Sequence, residues 1–150
     1  MKNAFTMIEL VFVIVILGIL AAVALPRLTV TRNDAEISKM ANLVVASVTD
    51  IANYAVSNVR TENNLSEMSN TLDSLERTDI AVIDTTNKKA IIKVGDISNC
   101  VVFKVETNDS TDSLSLEFNN PQGDVVCIGL QSTINADDYP IRLRGGSVTR

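Results

Sequence analysis

Histidine and tryptophan are absent from this chain, which also holds only two cysteines, three prolines and six aromatic rings. Without imidazole there is no Ser-His-Asp or Cys-His nucleophile pair and no histidine metal ligand. No phosphate-cradling glycine loop or dinucleotide fingerprint occurs either. Phe5, Phe12, Tyr54, Phe103, Phe118 and Tyr139 are too few for a dedicated electron-conducting stack. The net charge of −5 argues against a broad nucleic-acid surface, so no nucleic-acid partner is predicted. Arg142, Arg144 and Arg150 gather near the end of the chain and read as a solvated edge. Asp109 with Asp112, or Asp137 with Asp138, could offer oxygens to calcium. Neither pair has EF-hand spacing, and turns are rich in aspartate. No catalytic residue, metal site or cofactor is assigned, and the chain reads as non-enzymatic.

What is present is concentrated at one end. Phe5 to Leu25 is an apolar run about 30 Å long as a helix, enough to cross a hydrocarbon core. Glu9 is the only ionisable side chain in it. A carboxylate in such a run is disfavoured by roughly 2.5 kcal/mol or more at the bilayer centre, less near an end, and marks a functional position by default. One local reading is a capping box over Thr6-Met7-Ile8-Glu9, with Thr6 as N-cap and Glu9 reaching back to a free backbone N–H. The carboxylate then also suits the positive end of the helix dipole.

The residues Ala4-Phe5-Thr6-Met7-Ile8-Glu9-Leu10, with Gly18 and Pro26, resemble the N-terminus of type IV pilins and type II secretion pseudopilins. The resemblance covers about the first 30 residues. It implies a leader at 1–4, cut by a prepilin peptidase between Ala4 and Phe5, and N-methylation of Phe5. The residue before the cut is usually glycine in that family and is Ala4 here. The resemblance further implies a membrane and polymerisation helix at 5–26 and a periplasmic or extracellular pilin-like domain at 27–150. The N-terminus would be cytoplasmic and the chain single-pass in the inner membrane, until it joins a periplasmic or cell-surface filament. Its partners would be copies of itself, other pilin-like subunits, the peptidase, an inner-membrane assembly platform and membrane lipid.

Cleavage before Phe5 gives Glu9 a second physical role. The new amine is a cation at the end of a helix in lipid, and a carboxylate one turn along can pair with it on a neighbouring copy. Pairing removes two isolated charges from low dielectric and fixes the axial register of two apolar helices. Capping in the monomer and pairing in the assembly are compatible. In filaments of this family the stretch matching Gly18 to Pro26 can lose helical form, and its extension would lengthen a filament under load. Two rivals stand beside the filament reading. An ordinary secretory signal would be cut after Ala24 of Ala22-Val23-Ala24, but Glu9 interrupts its apolar region. A permanent single-pass anchor would carry a monomeric binding or sensor domain. Charge counting does not orient the helix, since Lys2 lies on one flank and Arg27 and Arg32 on the other.

The fold class expected is α+β, a long N-terminal helix on a roughly four-stranded antiparallel sheet. Ile37, Met40, Val44, Val48, Ile51, Ala55 and Val59 recur at helical steps and form a core stripe. Glu36, Lys39, Asn42, Asp50, Asn53 and Arg60 form the opposite, solvated face. Pro26 predicts a bend, and Thr29, Val30 and Thr31 add weak helix formers. Leu65, Met68, Leu72 and Leu75 predict a short second helix to about Arg77. Strands are expected at Ala90–Val94, Val101–Glu106, Ser113–Phe118 and Val125–Leu130. Turns fall at 108–112 and at Asn120-Pro121-Gln122-Gly123.

Cys100 and Cys127 are a candidate disulfide, since paired cysteines are usual in an exported domain. In a flat meander Cys100 lies opposite Asn119 and Cys127 opposite Leu116, two strands apart. That is about 9.6 Å, beyond the roughly 7 Å Cα limit for a bridge. A bridge therefore requires curl, a bulge or another strand order, and the alternative is two buried thiols. Many pilins place the second cysteine near the C-terminus, whereas 23 residues follow Cys127. Pilus against pseudopilus stays open at this stage.

Overall fold

The computed structural model describes residues 6–108 and 111–144, with Pro26 described by its backbone alone. The chain divides into two units, Met1–Ala35 and Glu36–Arg150. Helix α1, Met7–Asn58, supplies all the helical residues of the first unit and the first element of the second. Every described side chain from Thr6 to Arg32 is exposed in the single chain.

The helix is not interrupted at Pro26, although that residue has no N–H to give to the Ala22 carbonyl. The next threonines turn their hydroxyls back onto the helix, Thr29 to the Leu25 carbonyl at 3.3 Å and Thr31 to the Arg27 carbonyl at 3.0 Å. Such back-bonding lets weak helix formers remain helical without a polar partner elsewhere.

In the second unit, Met40, Val44, Val48, Ile51 and Ala55 are buried as the stripe predicts, and Ile37 is half-buried against the same core. Val59 departs from the expectation. It lies just past the end of α1 with φ of 55° and is 67% exposed, because the chain leaves the helix through the left-handed region there. Asp50 departs too. It is half-buried, and its Oδ2 accepts from the Ser69 and Thr71 hydroxyls, each at 2.9 Å. Ser69 in turn caps helix α2, Asn70–Arg77, by accepting from the Leu72 N–H at 3.1 Å. A 3₁₀ turn at Leu65–Glu67 precedes it, so the expected second helix is two short pieces separated by this cap.

Among the described residues the sheet has five antiparallel strands, not four: β1 Ala81–Asp84, β2 Lys89–Val94, β3 Ile97–Thr107, β4 Asp112–Phe118 and β5 Ile141–Arg144. Their order in the sheet is their order in the chain. Ala90, Ile92, Val101, Phe103, Val105 and Leu114 lie on the face that meets the helical layer and are fully or almost fully buried. The two unforeseen strands are the short edges. Four residues each carry too little alternation to be read as period two.

Val125–Leu130 is a helix, correcting the strand expected there: α3 runs Val125–Thr133. Asp124 caps it, Oδ1 accepting from the Cys127 N–H at 2.7 Å. Val126, Cys127, Leu130 and Ile134 are buried at helical spacing. The valines and the isoleucine favour strand locally, but the cap and that spacing prevail. The turn at 120–123 is present, with Gln122 and Gly123 at positive φ, and leads into α3 instead of a strand.

Candidate functional site

At the start of α1 the capping box is closed. The Thr6 N–H and the Thr6 hydroxyl both donate to Glu9 Oε2, at 2.9 and 2.7 Å, and the Glu9 N–H donates to Thr6 Oγ1 at 3.4 Å. Four apolar turns follow without another ionisable residue before Arg27. Glu9 is therefore held at the head of the helix by its own first turn. Ala4 and Phe5, the expected cleavage and methylation positions, lie outside the described residues, as does Lys2.

Gly18 sits within unbroken helix, and a Cβ added there would have nothing within 4 Å. Nothing inside the single chain requires glycine at this point, so its cost in helix stability, about 1 kcal/mol against alanine, has no compensation within the protomer. Of the expected flexibility pair Gly18 and Pro26, both are helical in this structure.

In the second unit Cys100 and Cys127 form a disulfide, with Cα atoms 5.8 Å apart. Cys100 does stand opposite Asn119, whose N–H reaches the Cys100 carbonyl at 3.3 Å. The flat-meander obstacle disappears for two reasons. Cys127 is on a helix, not on a strand two places away. In addition, β3 bulges: between the pairs Ile92↔Val101 and Val94↔Ile97 it sets Ser98, Asn99 and Cys100 against Lys93 alone. Gln131, one turn after Cys127, donates to the carbonyls of Cys100 at 2.9 Å and Asn119 at 2.8 Å, holding α3 against the ends of β3 and β4.

The acidic pairs have other uses. Asp112 is 1% exposed and is bound by Arg144 Nε at 3.0 Å and the Thr61 hydroxyl at 2.9 Å. Arg144 is thus an internal partner, not part of a solvated edge; Arg142 is exposed, and Arg150 lies outside the described residues. Asp109 is also outside them. Asp138 Oδ1 accepts from Asn135 Nδ2 at 3.2 Å, and the Asp137 N–H is taken up by Asn135 Oδ1, also at 3.2 Å. Among the described residues no group of three or more Cys, Asp or Glu is placed to hold a metal ion.

The Asp112 to Arg144 pair is the feature that sequence reasoning missed. An aspartate opening an alternating strand was a signal, since it falls on the same parity as the buried Leu114. The Asp124 cap was also visible as aspartate ahead of an apolar run with helical spacing.

Among curated proteins and among solved structures, nothing matches the chain. A family model, the prokaryotic N-terminal methylation motif, matches residues 1–25. That stretch contains Ala4, Phe5, Glu9 and Gly18 and ends one residue before Pro26. The chain therefore opens with the prepilin cleavage motif of type IV pilins and pseudopilins, ahead of a long apolar helix and a pilin-like α+β fold.

Proposed function

We propose that this chain is a structural, non-enzymatic subunit of a type IV filament, of the pilus or the type II secretion pseudopilus kind. A prepilin peptidase removes Met1 to Ala4, Phe5 is methylated, and the subunit waits in the inner membrane with its second unit outside. It then enters the filament through its N-terminal helix. The observation that carries this reading is the methylation motif at residues 1–25, with Glu9 as the one ionisable residue of the apolar run within it. The closed capping box is compatible with it, since the bonds that hold the carboxylate in the isolated chain use no second charge.

The mechanism is a change of partner. Before assembly Glu9 is bonded by the first turn of its own helix; on assembly it faces the methylated amine of Phe5 on a neighbour. A buried ion pair adds little net stability over an apolar contact but sharply penalises the wrong register. Mass analysis of the N-terminal peptide from the native protein tests the reading. The expected species begins with N-methylphenylalanine at position 5. A main species beginning at Met1 or at Leu25 would overturn it in favour of an anchored domain or a secreted protein.

A further inference from the structure

Helix α1 and the segment at the end of α3 enclose a groove of about 330 Å³ that lies wholly in the second unit. Ala41, Val45, Ile134 and Tyr139 give it an apolar lining, and Asn42, Asn135 and Asp138 supply its polar groups. An apolar cleft of this size with a few converging polar groups has the form of a binding site.

Those polar groups have capacity to spare. Asp138 Oδ1 takes the Asn135 amide at 3.2 Å, while Oδ2 has no partner among the described residues. Neither the Asn42 amide nor the Tyr139 hydroxyl has one among them. Tyr139 is half-buried, and its phenol is pushed up first by burial and then by the Asp138 charge, so the field of the carboxylate reaches the ring. Among the described residues no cation pairs with Asp138. A free carboxylate oxygen, an amide oxygen and an aromatic ring suit a guanidinium, whose donors form a fork for oxygen acceptors and whose flat cation stacks on a ring.

The chain carries cations that its own fold leaves without a carboxylate. Among the described residues Arg27, Arg32, Lys39, Lys88 and Arg142 make no ion pair. Most of them share a face with an acid that the groove would repel. Glu36 lies at i+4 from Arg32 and at i−3 from Lys39, and Arg142 stands in one row of the sheet with Ser113 and Glu106. Lys88 is already bonded to the Thr107 hydroxyl at 2.8 Å. Arg27 differs from all of these. Its neighbours at three and four residues are Val23, Ala24, Val30 and Thr31, every one of them exposed and uncharged, and the Thr31 hydroxyl is satisfied by the Arg27 carbonyl at 3.0 Å. One exposed arginine on an apolar helix face complements an apolar groove that ends in an unpaired carboxylate.

We propose that the groove is where a second copy of this chain docks, its Arg27 entering between Tyr139 and Asn42 to meet Asp138. The contact deepens the filament reading and rests on it. It adds a specific charge pair in the second unit to the assembly contacts of the N-terminal helix, and it is heterologous, since residue 27 of one copy meets residue 138 of another.

The test uses the full chain in a bacterium with a prepilin peptidase and a type IV assembly platform, and it measures filaments in sheared cell fractions beside the mass of the N-terminal peptide. Asp138→Arg and Arg27→Asp, each alone, should lower filament yield by about tenfold or more, because every contact then sets like charges together. Leader removal should be unchanged in both. The Arg27→Asp/Asp138→Arg double variant should regain most of the yield. So should the two single variants made together in one cell, because the groove of each then matches residue 27 of the other. Rescue by the double variant without rescue by the mixture places the contact within one chain and overturns the docking of a second copy. Wild-type yield from either single variant, or no rescue in the double variant, overturns this inference and leaves the filament reading intact. No filaments from the wild type overturn the filament reading, and this contact with it.

Discussion

Asp112, at the first position of β4, is almost wholly removed from water and is bound by Arg144, the last residue of β5, at 3.0 Å. The same carboxylate receives the Thr61 hydroxyl from the segment after α1, so one buried charge joins the end of the sheet to the helical layer. Removing the cation strands that charge. Arg144→Ala is expected to lower stability by about 3 kcal/mol, and Thr61→Ala by about 1 kcal/mol. Urea unfolding of the detergent-solubilised chain measures both, and equal small losses for the two would show that the pair is not the dominant contact.

Reducing the bridge between Cys100 and Cys127 releases a closed loop of sequence separation 27. The paired Cys100→Ser/Cys127→Ser variant is expected to lose about 3 to 4 kcal/mol, most of it through a freer unfolded chain. Denaturation with and without reductant checks this. The wild type should fall to the level of the variant, and the variant should not respond.

Glutamine can complete a capping box as glutamate does. Glu9→Gln therefore separates the two roles of this side chain: helix start preserved, charge removed. Both Glu9→Gln and Glu9→Ala should undergo normal leader removal, and both should fail to enter filaments or enter them in disorder. Filament yield in sheared cell fractions is the readout. Normal assembly of Glu9→Gln would show that capping, not charge, is what the position supplies.

Gly95 turns β2 into β3 with φ of 56°, and a Cβ there would stand 2.4 Å from the Asp124 carboxylate that caps α3. Gly95→Ala should cost about 1 to 3 kcal/mol through backbone strain, and more than that through displacement of the cap. Thermal unfolding of Gly95→Ala beside Asp124→Ala tests the coupling. Losses that simply add would place the two effects in separate parts of the molecule.

The Asp84 carboxyl is held below its usual range, first by the Asn87 side-chain amide and then by the Asn87 N–H, within the β1 to β2 turn. A depressed carboxylate contributes stability above its unfolded value and loses it as the pH falls through the folded one. Asn87→Ala should therefore flatten the fall in stability on the acid side of the ordinary aspartate range and leave the neutral region nearly level. Unfolding midpoints across that acid window provide the check.

Much of this molecule is legible in its sequence because the governing patterns are local. The apolar run, the Thr6 to Glu9 box and the stripe from Met40 to Ala55 each depend on spacing within one helix. What escaped depended on partners distant in the chain. Asp50 looks like a surface residue until Ser69 and Thr71 arrive, and Arg144 looks solvated until Asp112 is buried beside it. Val125 to Leu130 misled for a different reason: branched side chains favour strands, yet an aspartate cap and a disulfide hold that segment as a helix. The Cys100 to Cys127 pairing is blocked in the flat picture because that picture puts Cys127 on a strand and leaves β3 without its bulge.

The strand order β1 to β5 has a consequence for how the domain is made. Every neighbour in the sheet is also the next strand in the chain, so the pairings from β1 to β4 are local, which favours rapid folding, and β5 alone must wait until α3 has been made. The hairpins from β1 to β4 can form in turn as the chain lengthens, each new strand covering the edge left by the last, and β5 covers the edge of β4 after α3. Arg144 comes out at the close of that process. Until then Asp112 has a charge and no cation, which makes the final strand the step that commits the domain.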